Sequence, residues 1–147
     1  MSRPTPPTFT LLCLLGMVAL RWLIPLGLIS NWLLLILGIG FVVFGLVLGI
    51  EAESQFRKNH TTVDPQGTAS KLVTDGWFKY SRNPMYLSFA LMLIGAWLAL
   101  GAISPLLGIL VYVFLVERWY IAPEEKCLIA VFGKEYAAYQ MRTRRWL

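Results

Sequence analysis

An apolar run over residues 9–50 places the tightest limit on how this chain can fold. As a single helix the run would extend about 63 Å, which is roughly twice the hydrocarbon core of a bilayer. It must therefore turn back, and residues that break or cap helices mark the place: Pro25, Gly27 and the pair Ser30-Asn31. We expect one membrane span at about residues 9–28 and a second at about 32–50.

A second apolar run, over residues 85–121, repeats the pattern. It would be about 55 Å long as one helix, and Gly101 and Pro105 supply the break. We expect two further spans at about 85–102 and 104–121. The predicted fold class is an all-α integral membrane protein, with four transmembrane helices arranged as two hairpins in a single domain over residues 1–147.

The composition supports a membrane protein and limits its partners. Hydrophobic residues make up 57% of the chain and charged residues only 14%, whereas a soluble domain has roughly a quarter of its residues charged. The net charge of +5 does not indicate nucleic-acid binding, because the basic residues flank the apolar runs rather than forming a stripe with interleaved aromatics. With one histidine, and with Cys13 and Cys127 at different expected depths, we expect no metal site and no disulfide.

Two polar segments, residues 51–84 and 122–147, contain most of the Lys and Arg residues. Two hairpins place both segments and Arg3 on the same side of the membrane, and the excess of basic residues indicates that this side is cytoplasmic. We therefore expect both termini and any active site at the cytoplasmic face, in the inner membrane of a bacterium. Arg21 is expected to reach the outer interface beside Trp22.

Arg82, Asn83 and Pro84 stand where the first polar segment meets the third predicted span. Proline in a first turn is typical of a helix start. Two interpretations stay open. Either the three residues are a helix cap with an interfacial arginine, or free backbone N–H groups and Arg82 together receive an anionic group.

Pro123, Glu124 and Glu125 follow the fourth predicted span. They are typical of a helix N-terminus, where acidic side chains complement the helix dipole. Alternatively, the two carboxylates accept hydrogen bonds from hydroxyl or amino groups of a ligand, or stabilise a cation. Both interpretations stay open at this point.

Tyr136 and Tyr139, with Thr143, share one face of a predicted C-terminal helix. That helix either lies on lipid headgroups or folds over a pocket as a lid. His60 is expected to be a solvated loop residue. Residue chemistry alone thus indicates a polar pocket at the inner face that can hold a ligand of mixed charge.

In their order and spacing, these patterns resemble the superfamily of isoprenylcysteine carboxyl methyltransferases and phospholipid N-methyltransferases. The resemblance covers about residues 59–147, and the first two spans match only as apolar sequence. It is carried by these residues: Thr61-Thr62-Val63, Pro65, Leu72-Val73-Thr74-Asp75-Gly76, Ser81-Arg82-Asn83-Pro84-Met85-Tyr86, Glu124-Glu125, Phe132-Gly133-Lys134-Glu135-Tyr136, Tyr139 and Arg144-Arg145-Trp146.

The resemblance implies an S-adenosylmethionine-dependent methyltransferase with its cofactor at the cytosolic face. The implied cofactor-binding residues are Leu72, Val73, Phe78, Arg82, Asn83, Pro84, Tyr86, Glu124 and Glu125. The implied catalytic residues are Arg82, Glu124, Arg118 and Tyr120, the last two being nearest to an arginine that contacts the acceptor in eukaryotic relatives. Asn83 stands where many relatives have histidine and Phe78 where others have tyrosine, so no proton-transfer role of that histidine carries over.

The implied acceptor is a hydrophobic or amphipathic molecule with a carboxylate, an amine or a thiol, which enters sideways between the spans. Two other functions fit part of the pattern. A membrane reductase of the sterol reductase type would bind NADPH, although the shortness of the chain and the segment Phe132-Gly133-Lys134-Glu135-Tyr136 favour the methyltransferase. A non-catalytic four-helix membrane protein would bind neither cofactor. No obligate protein partner is expected.

Overall fold

The computed structural model describes residues 3–29, 31–59 and 71–147. Six residues that the sequence singles out lie outside the described residues: Ser30, His60, Thr61, Thr62, Val63 and Pro65. Within these ranges the regular structure is helical. In chain order the elements are α1 (Pro6–Leu23), α2 (Trp32–Lys58), a 3-10 turn (Gly76–Lys79), α3 (Pro84–Leu100), α4 (Leu106–Val116), a π-turn (Glu117–Ile121), α5 (Ala122–Phe132) and α6 (Lys134–Arg142).

The first predicted break is confirmed. Helix α1 ends at Leu23, two residues before Pro25, because the residue that precedes a proline is disfavoured in the helical region. The side chain of Asn31 caps α2 by accepting a hydrogen bond from a backbone N–H of the first turn at 2.9 Å. Helix α2 then continues to Lys58, well past the expected end at residue 50, because the polar residues that follow extend the same helix.

The second predicted break is also confirmed. Helix α3 ends at Leu100, and the next residue, Gly101, adopts the left-handed conformation with a φ of 58° that glycine tolerates without strain. The two inter-helix loops are hydrogen-bonded to each other, since the Ile29 N–H donates to the Gly101 carbonyl and the Ile103 N–H donates to the Leu26 carbonyl, both at 2.9 Å. Both loops therefore lie at one end of the bundle.

Arg21 lies at the same end as the two loops. Its Nε donates to the Leu100 carbonyl at 2.8 Å, and its guanidinium lies 5.6 Å from the centroid of a Trp22 ring. The expected pairing of Arg21 with Trp22 is confirmed. The bond to Leu100 also ties the end of α1 to the end of α3 and satisfies a carbonyl that the last turn of α3 leaves without a helical partner.

Helix α3 is the central element, and α2 packs closely against it through glycines. A Cβ added at Gly38 would lie 2.6 Å from the Gly95 carbonyl oxygen, and one at Gly45 would lie 2.7 Å from the Ser88 carbonyl oxygen. Backbones that approach this closely leave no room for larger side chains. Helices α1 and α4 pack on the other side of α3, around a core of buried side chains: Met17, Leu93, Tyr112 and Val116.

The fourth predicted span does not end at residue 121. Helix α5 begins at Ala122, next to Pro123, but Leu106–Phe132 is one continuous helix interrupted only by the π-turn. The Ala122 N–H donates to the Glu117 carbonyl, five residues earlier. Pro123 has no N–H to give to the Trp119 carbonyl four residues before it, and the wider turn accommodates the proline. The interpretation of Pro123, Glu124 and Glu125 as the start of a separate helix, with acidic side chains that complement its dipole, is therefore wrong.

Three of the helical units are long and apolar enough to cross a membrane: Pro6–Leu23, Trp32–Lys58 and Leu106–Phe132. Helix α3 is equally apolar in character but has only 17 residues. Helices α3 and α4 of the second predicted hairpin are in contact, whereas in the first α1 packs on α3 and α4, and α2 packs mainly on α3.

Candidate active site

A cavity of about 490 Å³ opens at the end of the bundle opposite the two inter-helix loops. Its size falls in the usual range of small-molecule sites, about 300–1,000 Å³. It is bounded by the segment before the 3-10 turn, the starts of α1 and α3, the C-terminal end of α2, the junction of the π-turn with α5, and α6. Thus elements far apart in the chain converge on one volume.

Ten of the eleven residues that the sequence proposes for the site line this cavity: Leu72, Val73, Phe78, Arg82, Asn83, Pro84, Tyr86, Tyr120, Glu124 and Glu125. The eleventh, Arg118, is exposed on the π-turn and is not part of the lining. The structure therefore brings together the residues expected near the cofactor and separates Arg118 from them.

Glu125 is the buried centre of an ion-pair cluster. Its Oε1 lies 2.8 Å from Arg82 Nη2, and its Oε2 lies 2.6 Å from Arg145 Nη2. The carboxylate therefore joins the start of α3, helix α5 and the C-terminal tail. Two arginines already occupy its oxygens, so its role in this arrangement is to hold the two cations rather than to offer free lone pairs.

Arg82 fastens the end of α6. Its Nη1 donates to the Gln140 carbonyl at 3.1 Å and to the Thr143 carbonyl at 2.9 Å, which satisfies carbonyls that a helix C-terminus leaves unpaired. Its backbone N–H donates to the Arg144 carbonyl at 2.9 Å. Among the described residues, no acceptor reaches its buried Nε. One N–H of the guanidinium is thus left without a protein acceptor among the described residues.

Asn83 binds the C-terminal tail rather than presenting a free helix end. Its side-chain amide donates to the Arg145 carbonyl at 3.0 Å, and its backbone N–H donates to Ser81 Oγ at 3.1 Å. Pro84 occupies the first helical position, as its missing N–H permits. The predicted helix start at Pro84 is confirmed, but the Asn83 side chain does not cap it, and the Arg82 side chain is buried rather than interfacial.

Glu124 and Tyr86 form a second polar pair at the cavity. Tyr86 Oη donates to Glu124 Oε1 at 2.5 Å, and the Tyr86 and Tyr120 rings lie 6.1 Å apart. Tyr112 Oη donates to the Tyr86 carbonyl at 3.2 Å from within the core, which fixes the backbone at this point. The cavity therefore presents one carboxylate beside aromatic faces.

Helix α6 covers one side of the cavity with Tyr136 and Tyr139, both buried. Tyr139 Oη donates to the Phe78 carbonyl at 2.6 Å, which docks α6 on the 3-10 turn. Burial raises the pKa of Tyr136 to about 12, so its phenol is neutral at physiological pH. This geometry favours the lid interpretation of the C-terminal helix over a helix that only lies on headgroups.

Sequence reasoning missed several lining residues. Phe56, Phe89 and Leu128 contribute apolar wall, and Pro6 and Pro7 enter from the N-terminus. The aromatic and aliphatic residues stand in runs of similar residues, so no local pattern separates those that face the cavity from those that face lipid. Arg145 belongs to the resembling motif, yet its pairing with Glu125 could not be inferred from spacing.

A helical bundle with helices long enough to cross a bilayer, and with a cavity of mixed polarity at one end, defines an integral membrane protein with a small-molecule site near the membrane surface. The sequence model of the phospholipid methyltransferase family matches residues 33–135, and the chain belongs to this family of membrane methyltransferases.

Two relatives show how far the similarity extends. The chain is 31% identical over 108 residues to a protein-S-isoprenylcysteine O-methyltransferase of Schizosaccharomyces pombe, a match that covers 71% of this chain and 45% of that protein. It is 40% identical over 63 residues to an uncharacterized protein of Haemophilus influenzae, a match that covers 43% of this chain and 100% of that protein. The chain thus spans less than half of the Schizosaccharomyces enzyme.

Proposed function

We propose that this protein transfers a methyl group from S-adenosylmethionine to a hydrophobic or amphipathic acceptor at the cytoplasmic face of a bacterial inner membrane. The observation that carries the proposal is the convergence of Arg82, Glu124 and the aromatic residues on a single cavity in a chain of the membrane methyltransferase family. The acceptor atom is an oxygen, a nitrogen or a sulfur.

The residues at the cavity suit the chemical groups of the cofactor. S-adenosylmethionine carries a carboxylate, an ammonium group, ribose hydroxyls and a sulfonium. Arg82, whose Nε has no acceptor among the described residues, suits the carboxylate. Glu124 suits the ammonium group or the hydroxyls, and the rings of Tyr86 and Tyr120 suit a sulfonium cation. Glu125 then acts through Arg82, by holding its guanidinium in place.

The residues of the chain contribute alignment and exclusion of water. When bound, the cofactor supplies an already activated methyl group, so orienting the acceptor can account for much of the rate. Tyr136 and Tyr139 cover the cavity, and the Arg82–Glu125–Arg145 cluster keeps α6 over it. A carboxylate or thiolate acceptor needs no base. An ammonium acceptor must lose a proton first, and Glu124 is the carboxylate positioned to take it.

The distribution of charge supports four spans with a cytoplasmic site. Of the 13 Lys and Arg residues, Arg21 lies at the end of the bundle with the two inter-helix loops. The other twelve are Arg3, Arg118 and the ten in the polar segments 51–84 and 122–147. Such an excess is typical of the cytoplasmic side. Helix α3, at 17 residues, spans about 26 Å. Because α1, α2 and α4 surround it, a slightly short helix is tolerated.

Calorimetry on the purified protein tests the proposal. Wild type is titrated with S-adenosylmethionine, S-adenosylhomocysteine and NADPH, beside Glu124→Gln and the matched control Glu53→Gln, which removes an exposed carboxylate outside the cavity lining. We expect binding of the first two compounds, about tenfold weaker or more in Glu124→Gln and unchanged in the control. Binding of NADPH alone, or of none of the three by folded protein, would refute the methyltransferase and favour the reductase or the non-catalytic protein.

A further inference from the structure

The N-terminal segment, residues 3–7, forms part of the cavity although it lies outside the matched family region, residues 33–135. Pro6 and Pro7 belong to the lining. This part of the site is therefore a contribution of this chain that the family match does not account for.

Two hydrogen bonds hold the segment on the π-turn. Arg3 Nη1 donates to the Trp119 carbonyl at 2.5 Å, and Tyr120 Oη donates to the Pro4 carbonyl at 2.6 Å. The Trp119 oxygen is available because Pro123 has no N–H to give it. Directly after the segment, the Phe9 ring lies 5.8 Å from the Trp119 ring and 6.0 Å from the Tyr120 ring. The segment is thus fixed to the element that carries Tyr120 and Glu124 into the cavity.

The cavity has two apolar walls that belong to separate clusters. One wall contains Val73, Phe78, Tyr136 and Tyr139, which pack together. The other wall contains Tyr86, Phe89 and Tyr120 from the larger core, and Pro6 and Pro7 extend it. We name the part of this second wall that is formed by Pro6, Pro7, Phe89 and Tyr120 the proline wall.

The proline wall carries no ionised side chain and lies where two apolar helices begin. Pro6 starts α1, and Pro84 starts α3 five residues before Phe89. Glu124 lies beside this wall, because it accepts a hydrogen bond from Tyr86 of the same cluster. An amphipathic molecule with its polar end at Glu124 could place its chain against the proline wall and continue along α1 and α3 into the bilayer.

We propose that the proline wall is the subsite for the alkyl part of the methyl acceptor, and that the two bonds from Arg3 and Tyr120 hold it in place. This rests on the proposed function and adds to it the acceptor side of the site. Tyr120 is shared with the proposed cofactor site, but Arg3 and Pro7 are not, so variants of these two residues separate the two proposals in experiment.

Photolabelling in nanodiscs tests the subsite with two probes, dodecylamine and dodecanoic acid, each with a diazirine on the part of the chain nearest the headgroup. Labelled peptides are mapped by mass spectrometry with and without excess plain amphiphile. Pro7→Trp fills the wall, and Thr8→Trp adds the same ring at an exposed neighbour outside the lining. Arg3→Met removes one bond of the segment. Arg142→Met is its charge-matched control, since Arg142 is exposed and its side chain bonds only within α6.

We expect competable labelling of residues 4–10 by at least one probe. Overfilling the wall in Pro7→Trp should raise the half-saturating probe concentration about tenfold, and Arg3→Met should raise it about fivefold. Thr8→Trp and Arg142→Met should match wild type. Labelling that is absent from residues 4–10, or that is equal in Pro7→Trp and wild type, overturns the subsite. Failure of the proposed function is read separately, as no binding of S-adenosylmethionine to wild type in the calorimeter.

Discussion

Glu125→Gln should be among the most destabilising conservative changes in this chain. The substitution keeps the shape of the side chain but removes the charge that two arginines share. The side chains of Arg82 and Glu125 are only 11% and 10% exposed, so the loss leaves Arg82 as an unpaired buried cation. Breaking a buried ion pair by removing one partner costs about 3–5 kcal/mol.

The magnitude follows from exposure. The Arg145 side chain is 41% exposed, so water screens its share of the loss to about 1 kcal/mol or less. We expect the free energy of unfolding to fall by about 3 kcal/mol in total, close to the lower bound for the Arg82 pair. For a chain of this size that corresponds to a melting midpoint lower by roughly 6–12 °C.

Thermal unfolding in detergent and limited proteolysis of the C-terminal tail measure the effect. Glu53→Gln is the control, because Glu53 forms a comparable ion pair with Arg57 at 3.4 Å in which both side chains are at least half exposed. It should cost no more than about 0.5 kcal/mol. The double variant Arg82→Met with Glu125→Leu should cost less than the two single changes summed, because it leaves no unpaired buried charge and the half-exposed Arg145 keeps Glu117 at 3.9 Å. Equal midpoints for Glu125→Gln and Glu53→Gln would refute this reasoning.

Three further predictions concern packing and protonation. Gly38→Ala should destabilise the protein by about 1–3 kcal/mol, because its Cβ would lie 2.6 Å from a carbonyl oxygen of α3. Gly40→Ala should be neutral or stabilising, because nothing lies within 4 Å of its Cβ. Thermal unfolding of the two variants tests this difference. Tyr139→Phe, which removes the bond to the Phe78 carbonyl, should cost about 1 kcal/mol and increase hydrogen exchange in α6; unchanged exchange contradicts it. The raised pKa of Tyr136 stabilises the fold fully below pH 10. That contribution should be lost as pH rises to about 12, and phenolate absorbance compared between wild type and Tyr136→Phe tests this window.

The sequence predicts the ends of helices well where the cause is local. Asn31 and Gly101 are found from sequence because a cap and a left-handed residue act within one turn of the residue itself. Pro84 is predicted for the same reason. The length of α2 was underestimated because apolar content decides where a span crosses lipid but not where the helix ends.

The sequence predicts which residues belong to the site, but not which of their side chains pair with each other. Ten of its eleven proposed residues do meet at one cavity, because the family pattern preserves their order along the chain. The partners could not be inferred. Arg82 and Glu125 are 43 residues apart, and Arg3 and Trp119 are 116 apart. Nothing local indicates that such groups meet, since the contact depends on the path of the whole bundle.

The π-turn explains why two adjacent carboxylates have different partners. In an α-helix, neighbouring side chains point about 100° apart, so Glu124 and Glu125 cannot address the same group. The π-turn before Glu124 and Glu125 contains one extra residue, which rotates both side chains by about 100° relative to an uninterrupted helix. With this rotation Glu125 reaches the two arginines that hold α6, and Glu124 reaches Tyr86 at the cavity. Without it, Glu125 would turn about 100° further around the helix axis, away from the two arginines, and Glu124 would take the direction that Glu125 has now. The irregular turn, which Pro123 favours and Arg3 satisfies, is therefore what assigns one carboxylate to holding the lid and leaves the other for the cavity.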